Sequence, residues 1–318
     1  MTDSVRWDLD GAVVTITLNR PQARNALTAE LKTELLGALR QAASSPEVRA
    51  VLITGAGQAF CAGQDLREHA ELLEAASSWD GASPAAGPTA AGMAASTPLA
   101  AGAPPAGAPA AQAPSGATTA VGPPPAEATP SGVPAALDTV REHYNPLVLA
   151  IRSMPKPVIA AVNGVAAGAG AGLAFACDIR IAAQGASFLI AFARVGLAAD
   201  TGVSWTLPRL AGEGRAAELL MLAEPIRAAR ALELGLVNQV VADADLAATA
   251  GALAARLAAG PTAAYAGIKE QLNYAAGHDL AEALDKEAEV QSTLGRTADH
   301  RAATLAFTRK QEPRFLGR

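Results

Sequence analysis

The sequence predicts an α/β fold, with strands and helices alternating through the first two thirds of the chain and helices dominating thereafter. Three observations carry that expectation. The chain opens strand, helix, strand; a run of Gly and Ala follows a buried strand at Val158 to Val162; and beyond Pro208 almost every segment has a helical period. Its 318 residues, half of them hydrophobic, supply enough apolar surface for one large core. Composition also excludes functions. The formal net charge of −5 and the lack of any basic run argue against a nucleic-acid partner. No stretch is long and apolar enough to span a bilayer, and MTDSVRWDLDG lacks the basic-then-apolar pattern of a leader, so the chain reads as cytoplasmic, without a membrane partner.

Val13 to Leu18 alternate and β-branch as a strand does, and Asn19-Arg20-Pro21 end it. Thr28 caps the helical pattern TAELKTELLGALRQAAS, whose Leu31, Leu35, Leu36 and Leu39 share a face. Val48 to Thr54 is a second strand, which gives the opening the signature of a parallel sheet with a helical crossover. Next comes GAGQAFCAGQDLREHAELLEAA, a glycine-punctuated loop leading into a helix near Asp65. It lies beyond the carboxyl end of a strand, where α/β folds hold ligands. From Leu137 the helical pattern LDTVREHYNPLVLAIRSM runs to Pro155-Lys156-Pro157, and strands follow at Val158 to Val162, Asp178 to Ala183 and Ala186 to Ile190. The remainder is helical apart from a short VNQVV strand.

On this reading residues 1–75 and 137–210 form the core and residues 211–318 a C-terminal helical region. Residues 76–136 change abruptly to Ala, Pro, Gly, Ser and Thr, as in PPAGAPAAQAP and GPPPAEATPSG. Pro at that density denies helix and sheet ladders alike, so a disordered insertion is expected. A linker between domains is the other reading, but the segment before it is too small to bury a core alone.

Between Gly164 and Gly172 small residues alternate, which lets a backbone approach a ligand with its N–H groups free to donate. Tight helix–sheet packing accounts for the same run equally well. Cys61 and Cys177 sit in apolar company and read as buried thiols. His69, His143, His278 and His300 are scattered without metal-ligand spacing; they read as surface or interface residues, and no metal is expected. Asp65 and Glu68 stand at a helix start, where acidic residues cap or meet the dipole.

Several motifs in order, NRPQARNAL, GAGQAFCAGQDL, PKPVIAAVNGVAAGAGAGLAFACDIRIA, the Leu-Gly-Leu-Val segment at Leu234 and AFTRKQEPRF, resemble the enoyl-CoA hydratase/isomerase (crotonase) superfamily. The resemblance implies a crotonase-like spiral of ββα repeats with a C-terminal helical trimerisation region. It implies an acyl-CoA thioester substrate, a homotrimer or dimer of trimers, and no cofactor besides the coenzyme A carried by the substrate. Within the superfamily, FLIAFARVGLAADTGVSWTLPRLAG is most similar to isomerases acting on the ring-epoxide of phenylacetyl-CoA.

Family chemistry forms an enolate beside a thioester carbonyl, whose oxygen needs fixed donors in a dry site. The resemblance assigns those donors to the backbone N–H groups of Gln64 and Ala169; their side chains matter little unless the backbone moves. It further assigns Arg24, Ala62, Lys269 and Lys310 to coenzyme A. Family hydratases carry two glutamates, and here Gly172 and Phe192 stand at those positions. A carboxyl group occurs at Asp200, where related isomerases place their acid/base, and one carboxylate suffices to move a proton between carbons. The alternative role for Asp200 is to cap the helix beginning near Thr201. An acyl-CoA isomerase is the expectation, with an enoyl-CoA hydratase as the alternative and a non-catalytic CoA-binding or scaffold protein as the reading from another class.

Overall fold

In the computed structural model residues 4–77 and 138–318 are described. The chain divides into two units, Met1–Leu72 with Ala135–Arg318, and Leu73–Pro134. Apart from its first two residues, the proline-rich stretch 76–136 lies outside the described residues.

The first unit is built from ββα repeats. They are β1 (Val5–Asp10), β2 (Val13–Leu18) and α1 (Ala29–Ser44); β3 (Ala50–Gly55), β4 (Ala59–Cys61) and α2 (Leu66–Ser77); and, after α3 (Asn145–Arg152), β5 (Val158–Val162), β6 (Val165–Ala167) and α4 (Ala169–Ala176). A fourth pair, β7 (Ile179–Ala183) and β8 (Ser187–Leu189), precedes α5 (Val203–Ala211) and α6 (Glu213–Leu222). Then come β9 (Ile226–Arg227), α7 (Ala228–Glu233), β10 (Gln239–Val241), and the helices α8 (Leu246–Ala258), α9 (Thr262–Ala275), α10 (Leu280–Leu294) and α11 (Ala298–Thr308).

After the first repeat, each unit gives one strand to a six-stranded sheet, ordered β1-β2-β3-β5-β7-β10, and one to a four-stranded sheet, ordered β4-β6-β8-β9. The repeated winding is the crotonase-like spiral. β3 pairs in parallel with β5, Val51 opposite Val158, so the residues on either side of the proline-rich stretch share one sheet. The opening βαβ unit is as predicted, β2 parallel to β3 with α1 between. Strand β1 was not predicted. It alternates as VRWDLD, and Gly11 at φ 56 turns it back antiparallel onto β2, a pattern the Asp10-Gly11 dipeptide signals.

The large sheet carries the core. Its strands β2, β3, β5 and β7 are largely buried and mostly apolar, with Thr17 and Arg180 among the buried polar exceptions, as strands of a covered parallel sheet are. α1 begins where the Leu31 N–H donates to Thr28 Oγ1 at 3.2 Å, and it buries Leu31, Leu35 and Leu39. Each such leucine contributes about 1.5–3 kcal/mol of burial. α8 presents Ala250, Ala254 and Ala258 across β3, β5 and β7, small residues that let the helix approach closely. Two cations tie the helical tail to this core. Arg49 donates to Thr262 Oγ1 (3.0 Å), Gly260 O (2.5 Å) and Phe315 O (3.1 Å). Lys269 donates to Asp178 Oδ2 (2.7 Å) and to the carbonyls of Ile151 and Lys156.

Candidate active site

The four-stranded sheet is made of two- and three-residue strands, and its loops build the site. β4 runs into Ala62-Gly63-Gln64. Buried Asn25, at a φ of 57 that Asn tolerates, fixes this loop: its Nδ2 donates to Ala56 O (3.0 Å) and Ala59 O (2.7 Å), and its Oδ1 accepts from the Arg20 N–H (2.9 Å). Arg20 in turn donates to Ala26 O (2.6 Å) and to Asp65 Oδ2 (2.9 Å), while the Arg67 N–H donates to Asp65 Oδ1 (3.1 Å). Burial opposes the charge on Asp65, but the bonds from Arg20 and the helix-start N–H groups hold its carboxyl below the ordinary value. Asp65 is thus the ion-paired start of α2, as the sequence indicated. Its neighbour Glu68 accepts the Ala29 N–H at 3.1 Å.

Leu27 and Gln64 form one parallel bridge, in which the Leu27 N–H donates to Gly63 O (2.7 Å) and the Asp65 N–H to Leu27 O (3.1 Å). The middle residue of such a bridge turns its own N–H the other way. The Gln64 N–H accordingly has no partner among the described residues. Gly63, at φ +88, lies so close to the second loop that a methyl group there would stand 2.7 Å from Ala167 O and 3.5 Å from the Ala169 nitrogen. A methyl at Gly170 would run into the Cys61 carbonyl oxygen. Close packing and free donors therefore coexist in the Gly/Ala run. Ala169 is the buried first residue of α4, whose N–H has no helical acceptor and no other partner among the described residues.

Asp200 approaches from the turn before α5. The next two residues, Thr201 (φ 50) and Gly202 (φ 69), are both left-handed, an unfavourable state for a β-branched threonine. Packing enforces it. Thr201 is fully buried against Gly172 of α4, where a Cβ would come within 2.7 Å of the Thr201 Cβ and 2.9 Å of its carbonyl oxygen. The Thr201 hydroxyl donates to Asp200 Oδ1 at 2.5 Å. α5 takes Gly202 as its N-cap with no side-chain cap bond, so Asp200 does not serve as the helix cap. Burial raises the Asp200 pKa, against the opposing pull of the Thr201 bond and the Lys32 charge.

The sequence reading missed Lys32 and Tyr144. Lys32 is 2% exposed, and its ammonium donates to Gln64 Oε1 (3.2 Å) and Thr139 Oγ1 (2.6 Å), 4.9 Å from the centre of the Tyr144 ring. The buried Tyr144 hydroxyl donates to the same Gln64 Oε1. A signal existed: Lys32 lies three residues before Leu35, on the apolar side of a helix whose neighbours there are leucines. His143, expected at the surface or an interface, instead is half-buried 3.3 Å from Thr139 Oγ1, and burial followed by the Lys32 charge lowers its pKa.

The remaining candidates separate. Arg24 is exposed, and its carbonyl accepts the Ala62 N–H at 3.0 Å, so these two residues meet at the first loop. The Lys269 ammonium donates to Asp178 and to two backbone carbonyls inside the fold. Lys310 is exposed in a left-handed turn after α11. Phe192, which the resemblance sets against a hydratase glutamate, is buried in the core. Cys61 and Cys177 are buried free thiols, each pushed up to about 12 by burial. Among the described residues no group of three or more His, Cys, Asp or Glu side chains could hold a metal ion, and no helix is long and apolar enough to cross a membrane. A cavity of about 520 Å³ beside α3 and α5 touches the Asp200 turn only through Gly202, and none of Gln64, Ala169 or Asp200 lines it.

Comparison with known proteins bears on the family and the fold. The enoyl-CoA hydratase/isomerase family model matches residues 8–84 and 127–318. The chain is 38% identical over 315 residues to a protein of Rhodobacter capsulatus named probable enoyl-CoA hydratase, covering 99% of this chain and 98% of that one. It is 36% identical to the 1,2-epoxyphenylacetyl-CoA isomerase of Escherichia coli, covering all of both chains. A solved structure from Mycobacterium abscessus, named for enoyl-CoA hydratase/isomerase, superposes with a TM-score of 0.78 at 39% identity, covering 99% of this chain and 100% of that one. Two loops in close backbone contact, the ββα spiral that carries them and a match over most of the chain lead to one conclusion: this protein belongs to the enoyl-CoA hydratase/isomerase family.

Proposed function

We propose that the protein is an acyl-CoA isomerase, with Asp200 as its proton carrier and the N–H groups of Gln64 and Ala169 as donors to the thioester oxygen. The thioester carbonyl accepts both N–H bonds, which strengthen as charge moves onto its oxygen and the enolate forms. Asp200 takes a proton from one carbon and returns it to another, a task for one carboxylate. Burial that raises its pKa moves it toward useful proton exchange near neutral pH. The observation carrying the reading is the contact between Gly172 and Thr201, because the Thr201 side chain and carbonyl occupy the space that a hydratase glutamate at 172 would need. With Phe192 at the second position, the carboxylate pair that activates water in family hydratases is missing.

The similarity to the Escherichia coli 1,2-epoxyphenylacetyl-CoA isomerase favours a ring-epoxide acyl group, and the Rhodobacter capsulatus relative keeps hydration as the alternative. The proposed assembly is a trimer or dimer of trimers in the cytoplasm. Exposed Ile268, Leu272, Leu280, Leu284 and Phe307 on the last three helices give it an apolar face to bury. No cofactor is needed beyond the coenzyme A of the substrate, for which Arg24 and Ala62 lie together and Lys310 is accessible. Incubation with 3-enoyl-, 2-enoyl- and ring-epoxide acyl-CoAs in heavy-oxygen water tests the reading. Isomerisation without oxygen uptake supports it; conversion of the 2-enoyl ester into a 3-hydroxyacyl product carrying the label makes the protein a hydratase.

A further inference from the structure

Lys32 is a buried cation, and no carboxylate pairs with it among the described residues. Isolating an ammonium from water without an ion pair costs several kcal/mol, so a position kept this way needs a reason beyond packing. Its contacts supply one. Lys32 and Tyr144 both donate to Gln64 Oε1, from α1 and from the π-helical turn Val140–Tyr144 respectively, so the Gln64 side chain is clamped between two elements of the core. The backbone on which this side chain is mounted bears the unpartnered N–H that faces away from Leu27.

We infer that Lys32 is a positioning residue: with Tyr144 it grips the Gln64 side chain, fixing the loop so that the Gln64 N–H stays aimed at the thioester oxygen. This rests on the oxyanion assignment above and deepens it. An oxyanion hole acts through donors set in place before charge develops, and the two bonds to Gln64 Oε1 add a hold on Gln64 itself to those that Asn25 and the Leu27 bridge place on the neighbouring backbone. The side chain is therefore a handle on the backbone. Lys32 has a second effect through its charge. The groups whose fields bear on it are Glu68 from α2 and Asp200 from the turn before α5, with His143 and Tyr144 on the π-helical turn responding to the same cluster. Its positive charge favours the ionised form of Asp200.

The test compares wild type with Lys32→Met, which keeps the apolar stem and removes the ammonium, and with Tyr144→Phe. The probe is hexanoyl-CoA labelled with carbon-13 at the thioester carbonyl, a saturated ester that does not turn over, read by difference infrared spectroscopy. Binding to the wild type should lower the carbonyl stretch, and each variant should lose part of that downshift while binding within a few-fold. In turnover, Lys32→Met should lower kcat by about tenfold or more with KM little changed, as loss of donor alignment does. Its acid limb should move to higher pH, because Asp200 loses a cation that favours its charge. Thermal stability should not fall, since an unpaired buried charge is gone, and that separates positioning from a structural role. A downshift and kcat equal in wild type and both variants would overturn the Lys32 assignment alone. A wild type that binds the ester with no downshift would overturn the oxyanion reading beneath it.

Discussion

The two halves of the proposed site are made differently. One half is backbone: the Ala62-Gly63-Gln64 loop and the start of α4, pressed together so closely that Gly63 and Gly170 tolerate no side chain. The other half is side chain: Asp200 on a left-handed turn, bonded by Thr201 and under the field of Lys32. The first depends on shape and on the hold that Lys32 and Tyr144 have on the Gln64 side chain. The second depends on one ionisable group and its surroundings. Damage to the close packing of the first should therefore appear in folding and function together, and damage to the second in function alone.

Asp200→Asn gives the largest expected effect. Asn keeps the shape but carries no proton, so turnover should fall by about 10²–10⁴-fold while acyl-CoA affinity, measured calorimetrically, stays within a few-fold. Stability should hold or rise. The folded carboxyl has a raised pKa, so the native state holds a proton the unfolded state has released, and stability declines as pH climbs through that window. The Asn variant should lack that decline in a series of melting curves. Near wild-type turnover would remove Asp200 from the mechanism.

Gly170→Ala attacks the backbone half. Its methyl collides with the Cys61 carbonyl, so the loops must part, at a cost of about 1–3 kcal/mol in denaturant unfolding and with loss of turnover in the same protein. A variant that melts like wild type and turns over normally would mean the loop contact is not needed.

The pH profile sharpens the comparison at smaller scale. Because burial raises the Asp200 pKa, turnover that needs its carboxylate should rise with pH along a limb displaced upward from the ordinary aspartate value, and Asp200→Asn should abolish that limb. A limb at the ordinary carboxylate value would show that Asp200 is well solvated in the working enzyme. The smallest effect is expected outside both halves. Residues 85–126, which the family match passes over, can be replaced by a short Gly/Ser bridge with a stability change of about 1 kcal/mol or less, since closure entropy depends weakly on loop length. Unfolding of that variant would show that the stretch packs against the family core.

The periods of α1, β2 and β3, the Thr28 cap and the parallel crossover were legible in the sequence, because apolar spacing and cap chemistry are local properties. Strand β1 carried its own alternation and turn signal. The motifs, taken together, marked Gln64, Ala169 and Asp200 as positions to compare with the family. Their spacing by itself left the Gly/Ala run open between ligand loop and packing contact; the structure shows the packing contact, with the Ala169 N–H unpartnered among the described residues. What only the tertiary structure decided is which groups meet across distant segments. Lys269 reads as a solvated basic residue until Asp178 is placed beside it, 91 positions earlier in the chain. Lys32 reads as an ordinary helical lysine until Gln64, Thr139 and Tyr144 close around it. Nor does composition reveal that Thr201 fills the space facing Gly172, the contact on which the preference for isomerisation rests. Periodicity is written residue by residue, whereas burial and charge environment are sums over neighbours that only folding brings together.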